Sequence, residues 1–175
     1  MKYLMRLTLG VCLLIGATFH VIAAMSASPM AVSVEKPPQK VLRNALAFVG
    51  VDAHGSVKFY GAKSAFVLPS RGTDRLWLIA MQAKNKEYCS FVNVTANSRS
   101  ATDAGSFVGC LIYAVEFKDF NEDGNIDALY RIKTKSNVSD AWVDEEVLFL
   151  SREEGFCRAG IGWRFASSPA VIKCD

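Results

Sequence analysis

An all-β domain, an antiparallel β-sandwich or barrel of about eight strands that admits a short N-terminal helix, is the fold class this sequence predicts. Three observations predict it. Short apolar runs of period two recur between turn residues, four cysteines remain once an export segment is set aside, and no later stretch keeps a strong helical period.

Residues 1–24 read as a secretory signal peptide. Lys2 and Arg6 precede an apolar run over residues 7–15, and the small residues Ala23, Ala24 and Ala27 follow. Cleavage there removes Cys12 and leaves a periplasmic or secreted chain. The 20 basic residues fall to 18 against 17 acids, a net charge of +1, so charge gives no reason to expect a nucleic-acid partner. The longest later apolar run, residues 107–115, falls short of the roughly 20 residues a membrane span needs, so no membrane insertion is expected after cleavage.

Residues 25–39 carry Pro29, Pro37 and Pro38 and read as a leader arm. Residues 40–175 then form a single β domain, long enough for a core of its own. Val41, Leu42, Ala45, Leu46 and Phe48 permit a helix over residues 40–49. Strands are expected over 57–60, 65–68, 75–82, 88–94, 142–150, 156–165 and 170–174, and on both sides of an acidic loop at 119–127. The polar residues 95–106 read as a loop.

The acidic loop is the most specific feature of the chain. Asp119, Asn121, Asp123, Asn125 and Asp127 recur at every second position, with Gly124 among them. Ca²⁺ takes about six to eight oxygen ligands, and a curled loop can bring alternate side chains to one ion if a glycine takes the sharp bend. The expected set is the side chains of Asp119, Asn121, Asp123 and Asp127 with the backbone carbonyl of Asn125. An EF-hand would close with a glutamate at the twelfth position, where this chain has Tyr130. The alternative is an Asx-rich turn in which these side chains bond only the local backbone. Four spaced ligands and a glycine exceed what such a turn requires, and a dissociation constant on the order of 10⁻⁴ to 10⁻³ M would suit a structural role for the ion. On these residues the loop resembles the D-x-D-x-D-G-x-x-D loops of integrin-like, FG-GAP and VCBS-type proteins, with Asn121 at the second ligand position. The unit occurs once here, so the resemblance does not extend to their propeller.

Cys89, Cys110, Cys157 and Cys174 allow three pairings. Cys89 with Cys110 and Cys157 with Cys174 is favoured, because each pair brackets one hairpin-sized segment. Each closed loop would stabilise by about 3 kcal/mol. A zinc site is disfavoured by the absence of a C-x-x-C pair and by a single histidine, His54, beyond the export segment. Trp77, Trp142 and Trp163 suit a core better than a sugar platform.

Catalytic residues are not recognisable. There is no G-x-S-x-G elbow, and His54 sits in a Gly-containing turn. Glu145 and Glu146 would point to opposite faces of a strand, and Glu153 and Glu154 precede Gly155 in a turn. The short basic leader, small β domain, two disulfides and cation loop are together similar in architecture to the carbapenem intrinsic-resistance proteins and the inhibitors of invertebrate-type lysozyme. That similarity implies a periplasmic protein that protects by binding a protein partner, a homodimer being compatible with it. The competing reading is an accessory or adhesion module of a secretion or surface system, braced by calcium. Asn93-Val-Thr95 and Asn137-Val-Ser139 fit N-glycosylation sequons, which matter only in a eukaryotic secretory pathway.

Overall fold

The structure, a computed structural model, describes residues 30–50, 57–68, 74–97, 100–136, 138–160 and 162–175. The expected signal peptide (residues 1–24), His54 and Asn137 lie outside the described residues. Ten strands and one helix follow in chain order: β1 (Ala31–Glu35), α1 (Gln39–Val49), β2 (Val57–Phe59), β3 (Ser64–Leu68), β4 (Leu76–Ala83), β5 (Tyr88–Thr95), β6 (Ala101–Val108), β7 (Cys110–Lys118), β8 (Asp127–Lys135), β9 (Trp142–Arg152) and β10 (Gly155–Arg158). They make two antiparallel sheets. One has the order β1-β3-β4-β5-β6, with β2 also paired to β4, and the other the order β10-β9-β8-β7. The sandwich expected from the sequence is the fold.

Period two explains the layering. Leu78 and Phe91 of the first sheet meet Tyr130 and Phe149 of the second in the central core, with the Phe91 ring 4.8 Å from both aromatic partners. The opposite side of the first sheet is apolar as well, because α1 covers it: Val41, Ala45 and Leu46 pack on Trp77, Ile79, Met81 and Val92. On the second sheet, Leu129, Leu148 and Leu150 face outward and are covered by Ala159 and Ile172 of the C-terminal segment. Trp77 is therefore buried beneath the helix, whereas Trp163 packs on the far side of the other sheet, so the tryptophans share no platform.

Four expectations are corrected. Residues 31–35 of the expected leader arm form β1, paired with β3 from Ala31↔Leu68 to Glu35↔Ser64, because Val32 and Val34 turn inward onto the central core. Residues 101–106 of the expected loop belong to β6 (Ala101–Val108). The Asp103 carboxylate accepts the Gly105 N–H at 3.2 Å and the Ser106 hydroxyl at 3.1 Å, which lets a polar segment hold a bulge at a sheet edge. The strand expected over 156–165 ends at Arg158, and Trp163–Phe165 is a 3-10 helix. The strand expected over 170–174 is instead a 3-10 helix, Pro169–Val171, and a single bridge between Ala159 and Cys174, because Pro169 has no N–H for a ladder.

Two devices close the sandwich. At Gly109 the chain passes directly from one sheet to the other, and its φ of +57° suits a residue without a side chain. The Gly109 N–H donates to the Glu87 carbonyl at 2.6 Å, and its carbonyl accepts from the Lys135 N–H at 2.8 Å. The Cys89–Cys110 disulfide, with Cα atoms 5.5 Å apart, links β5 to β7 beside this corner. The second disulfide, Cys157–Cys174, fastens the C-terminal segment to β10. Across the sandwich, the buried Asn93 amide of β5 donates to the Phe156 carbonyl at 2.7 Å and accepts the Phe156 N–H at 2.8 Å, imitating a strand partner for β10. The sequon at Asn93 is thus consumed by the fold.

Asn93→Ala leaves both Phe156 main-chain groups unpaired. At about 1–3 kcal/mol for each, the variant is expected to melt well below the wild type in a calorimetric scan, and an unchanged melting temperature would show that water replaces the amide without cost.

Candidate metal centre

The acidic loop joins β7 to β8, and the hairpin brings Lys118 opposite Asp127. Within it Glu122 has φ +57° and Gly124 φ +88°. These two left-handed residues curl the chain so that the side chains of Asp119, Asn121 and Asp123 turn back on the loop. Both Asp119 carboxylate oxygens accept loop amides, from Asp123 N–H at 3.1 Å and Gly124 N–H at 2.8 Å. Asn121 is buried; its Nδ2 donates to Asp123 Oδ2 at 2.9 Å, and its Oδ1 accepts from Asp123 N–H at 3.3 Å. Asp123 Oδ1 accepts both the N–H and the Nδ2 of Asn125 at 2.9 Å. Gly124 is required by its backbone angle and not by crowding, since a Cβ there would meet nothing within 4 Å.

Asp127 plays a different part. It is the first residue of β8 and fully buried. One carboxylate oxygen accepts the Phe120 N–H at 3.0 Å, and the other accepts the Ser151 N–H at 2.9 Å with the Ser151 hydroxyl at 3.4 Å. A single carboxylate therefore ties the start of the loop to the end of β9. Arg152, the next residue, donates from Nη1 to Asp123 Oδ2 at 3.0 Å. Arg152, Ser151 and the Phe120 amide were not identified from the sequence. No local spacing signals a partner 24 or 29 residues away along the chain.

The charges do not balance. Asp119, Asp123 and Asp127 face one guanidinium. Burial pushes Asp127 up to about 6; the two amide bonds oppose that rise, and the charges of Asp123 and Asp119 add to it. For Asp123, burial acts upward but is outweighed by the bonds from Asn121 and Asn125 and by Arg152, so it lies below the ordinary carboxylate range.

As a donor set the loop holds hard oxygens of the kind Ca²⁺ takes. Among the described residues no three His, Cys, Asp or Glu side chains are gathered closely enough to hold a metal ion. The five residues share one loop, and the side-chain oxygens of Asp119, Asn121, Asp123 and Asp127 accept N–H donors. Binding an ion there would displace donors from Asp123, among them Arg152 Nη1.

No protein-family model matches the chain, and no curated protein or solved structure is detectably similar to it.

The Asp127 shift has a definite sign. An unfolded chain ionises this group near 3.8, whereas the native state keeps its proton to about 6. The unfolded state thus binds fewer protons in that interval, and stability falls as pH rises from about 4 through 6, by on the order of 1–3 kcal/mol. Denaturant melts in chelator at pH 5 and pH 7.5 should show this loss, and Asp127→Ala should remove the pH dependence while lowering stability at both values.

Proposed function

We propose that this chain is an exported binding protein, a periplasmic protective or inhibitor protein of the lysozyme-inhibitor-like or antibiotic-resistance-like kind, with the 119–127 loop as a calcium brace. The observation that carries the binding part is a groove of about 370 Å³ beside β9, rimmed by Trp163 and by Phe165, whose side chain is 90% exposed. An exposed aromatic ring beside a rigid groove is a typical anchor for a protein partner. The scaffold supports the reading: two disulfides pin the sheets and the C-terminal segment, which keeps the groove's walls fixed before a partner arrives. The disulfides also suit an oxidising compartment. No helix among the described residues is long and apolar enough to cross a membrane.

Glu145 accepts the Thr134 hydroxyl at 2.6 Å, and Glu146 lies between Arg131 at 2.9 Å and Arg164 at 2.9 Å. Calcium supports the scaffold by supplying the positive charge that the loop lacks. It also braces the link from β7 to β9 on which the second sheet's end depends.

Titration of the purified protein into an invertebrate-type lysozyme assay tests the binding part. Stoichiometric inhibition that Phe165→Ala weakens about tenfold or more is the expected result. Unaltered turnover by lysozymes and periplasmic enzymes alike would leave the accessory or adhesion role in its place.

The brace has its own test. Saturating calcium at about 100 times its dissociation constant should contribute roughly 2.7 kcal/mol, read as a higher melting temperature than in chelator. Asp123→Ala should lose that response, whereas Glu122→Gln, whose carboxylate is out of phase with the ligands, should keep it. Identical melting curves with and without calcium would reduce the loop to an Asx-rich turn.

A further inference from the structure

β9 is unevenly covered along its two edges. β8 pairs with it from Ala128↔Phe149 to Lys135↔Trp142 without a register shift, whereas β10 covers only the stretch from Arg152 to Phe149 on the other side. The Ala159 N–H donates to the Leu148 carbonyl at 2.8 Å, which fixes the sense of the remaining groups. Main-chain groups of a strand point alternately to its two sides, so those of Glu146 and Asp144 also face away from β8. No strand pairs with them among the described residues. The other edges are blunted: β6 and β7 each carry a register shift, β1 is five residues long and β10 four.

We propose that the open edge of β9 over residues 142–147 receives an extended segment of the partner protein as an added strand, one in which Lys or Arg alternates with aliphatic residues. This rests on the reading of the chain as a binding protein and names the partner's chemistry at the same groove. Charge complementarity selects the occupant. Asp144, Glu145 and Glu146 are three consecutive acids, and Asp144, whose side chain is 65% exposed, is approached by Lys133 at 4.0 Å and by the Tyr113 hydroxyl. Arg164 already shows how a guanidinium is held here: its Nη2 lies 2.9 Å from Glu146 Oε2 while its head stands 5.7 Å over the Trp163 ring. Val143, Glu145 and Val147 face the other side of the strand, and Glu145 is held by the Thr134 hydroxyl at 2.6 Å, so the intervening positions of an added strand meet two aliphatic neighbours on either side of an acid that already has a partner.

The same charges disfavour two other occupants. A second copy paired edge to edge would set this acidic run against its own counterpart, which destabilises a sheet. The residues just after the expected export segment, 25–29, contain no Lys or Arg to answer the acids.

A capped hexapeptide alternating lysine and valine, titrated into the full exported chain by calorimetry and tryptophan fluorescence, is the probe. It should bind. Methylation of the peptide amides that face β9, or the double substitution Asp144→Asn with Glu146→Gln, should each weaken binding about tenfold or more. Asp144→Pro deletes one edge-facing N–H without touching the β8 ladder, so it should weaken binding with little change in melting temperature. No binding, equal binding of the methylated peptide, or a dimer that Asp144→Pro dissolves would each overturn the proposal. Running the lysozyme assay with Asp144→Pro separates the two levels. Full inhibition by that variant overturns the edge alone, whereas no inhibition by the wild type overturns the binding reading itself.

Discussion

The two sheets are held as one body by the corner at Gly109. A β-sandwich needs its halves at a fixed spacing, and here the chain crosses between them in one residue and not through a long connection. Gly109 supplies the left-handed angle, and a Cβ at that position would lie 3.0 Å from the Lys135 Cβ. Its two main-chain bonds reach Glu87 in one hairpin and Lys135 in the other. The Cys89–Cys110 bridge then makes the crossing covalent. Once that corner is set, Tyr130 meets Phe91 and Phe149 edge to face in the core, and Asn93 reaches β10 at the opposite margin.

The acidic loop shows a conflict between local and global demands. Locally, its carboxylates are used to cap N–H groups that a tight turn leaves unpaired, and each bond stabilises the turn. Globally, burying Asp127 between β8 and β9 places a charge in a poorly solvated site beside two others. Arg152 offsets part of this from the end of β9. A divalent cation would offset the rest: the Asp119 oxygens accept one donor each and keep a lone pair, whereas both Asp123 oxygens already accept two donors, so an ion would have to displace some of them.

Much of the fold was legible in the sequence because period two is a strong signal where one face of a strand is buried. The strands flanking the acidic loop and both disulfide pairs were read from alternation and spacing alone. The failures have physical causes. β1 was hidden by the prolines around it, although Val32 and Val34 alternate. β6 was hidden because an edge strand with little burial needs no apolar face, and Ala101-Thr-Asp-Ala-Gly-Ser106 reads as a loop by composition. The spacing of the five loop residues is legible as one turn, but the parts of Arg152 and Ser151 are not, since their relation to Asp127 and Asp123 exists only after β9 has folded back along β8.

Edges link the fold to its proposed use. A sandwich of two open sheets exposes unpaired strand margins, and each is a route to association unless it is bent, shortened or charged. Here the bulges in β6 and β7 bend two margins, and β1 and β10 are short. β9 remains straight and long, with only its first half open. Under the proposed strand addition, its acids would act as a filter on that opening, discouraging copies of the same chain and favouring a strand of opposite charge. Retaining one selective margin while blunting the rest is how a rigid β scaffold can stay monodisperse and still bind, and it places recognition on main-chain groups that the surrounding sheet already holds in position.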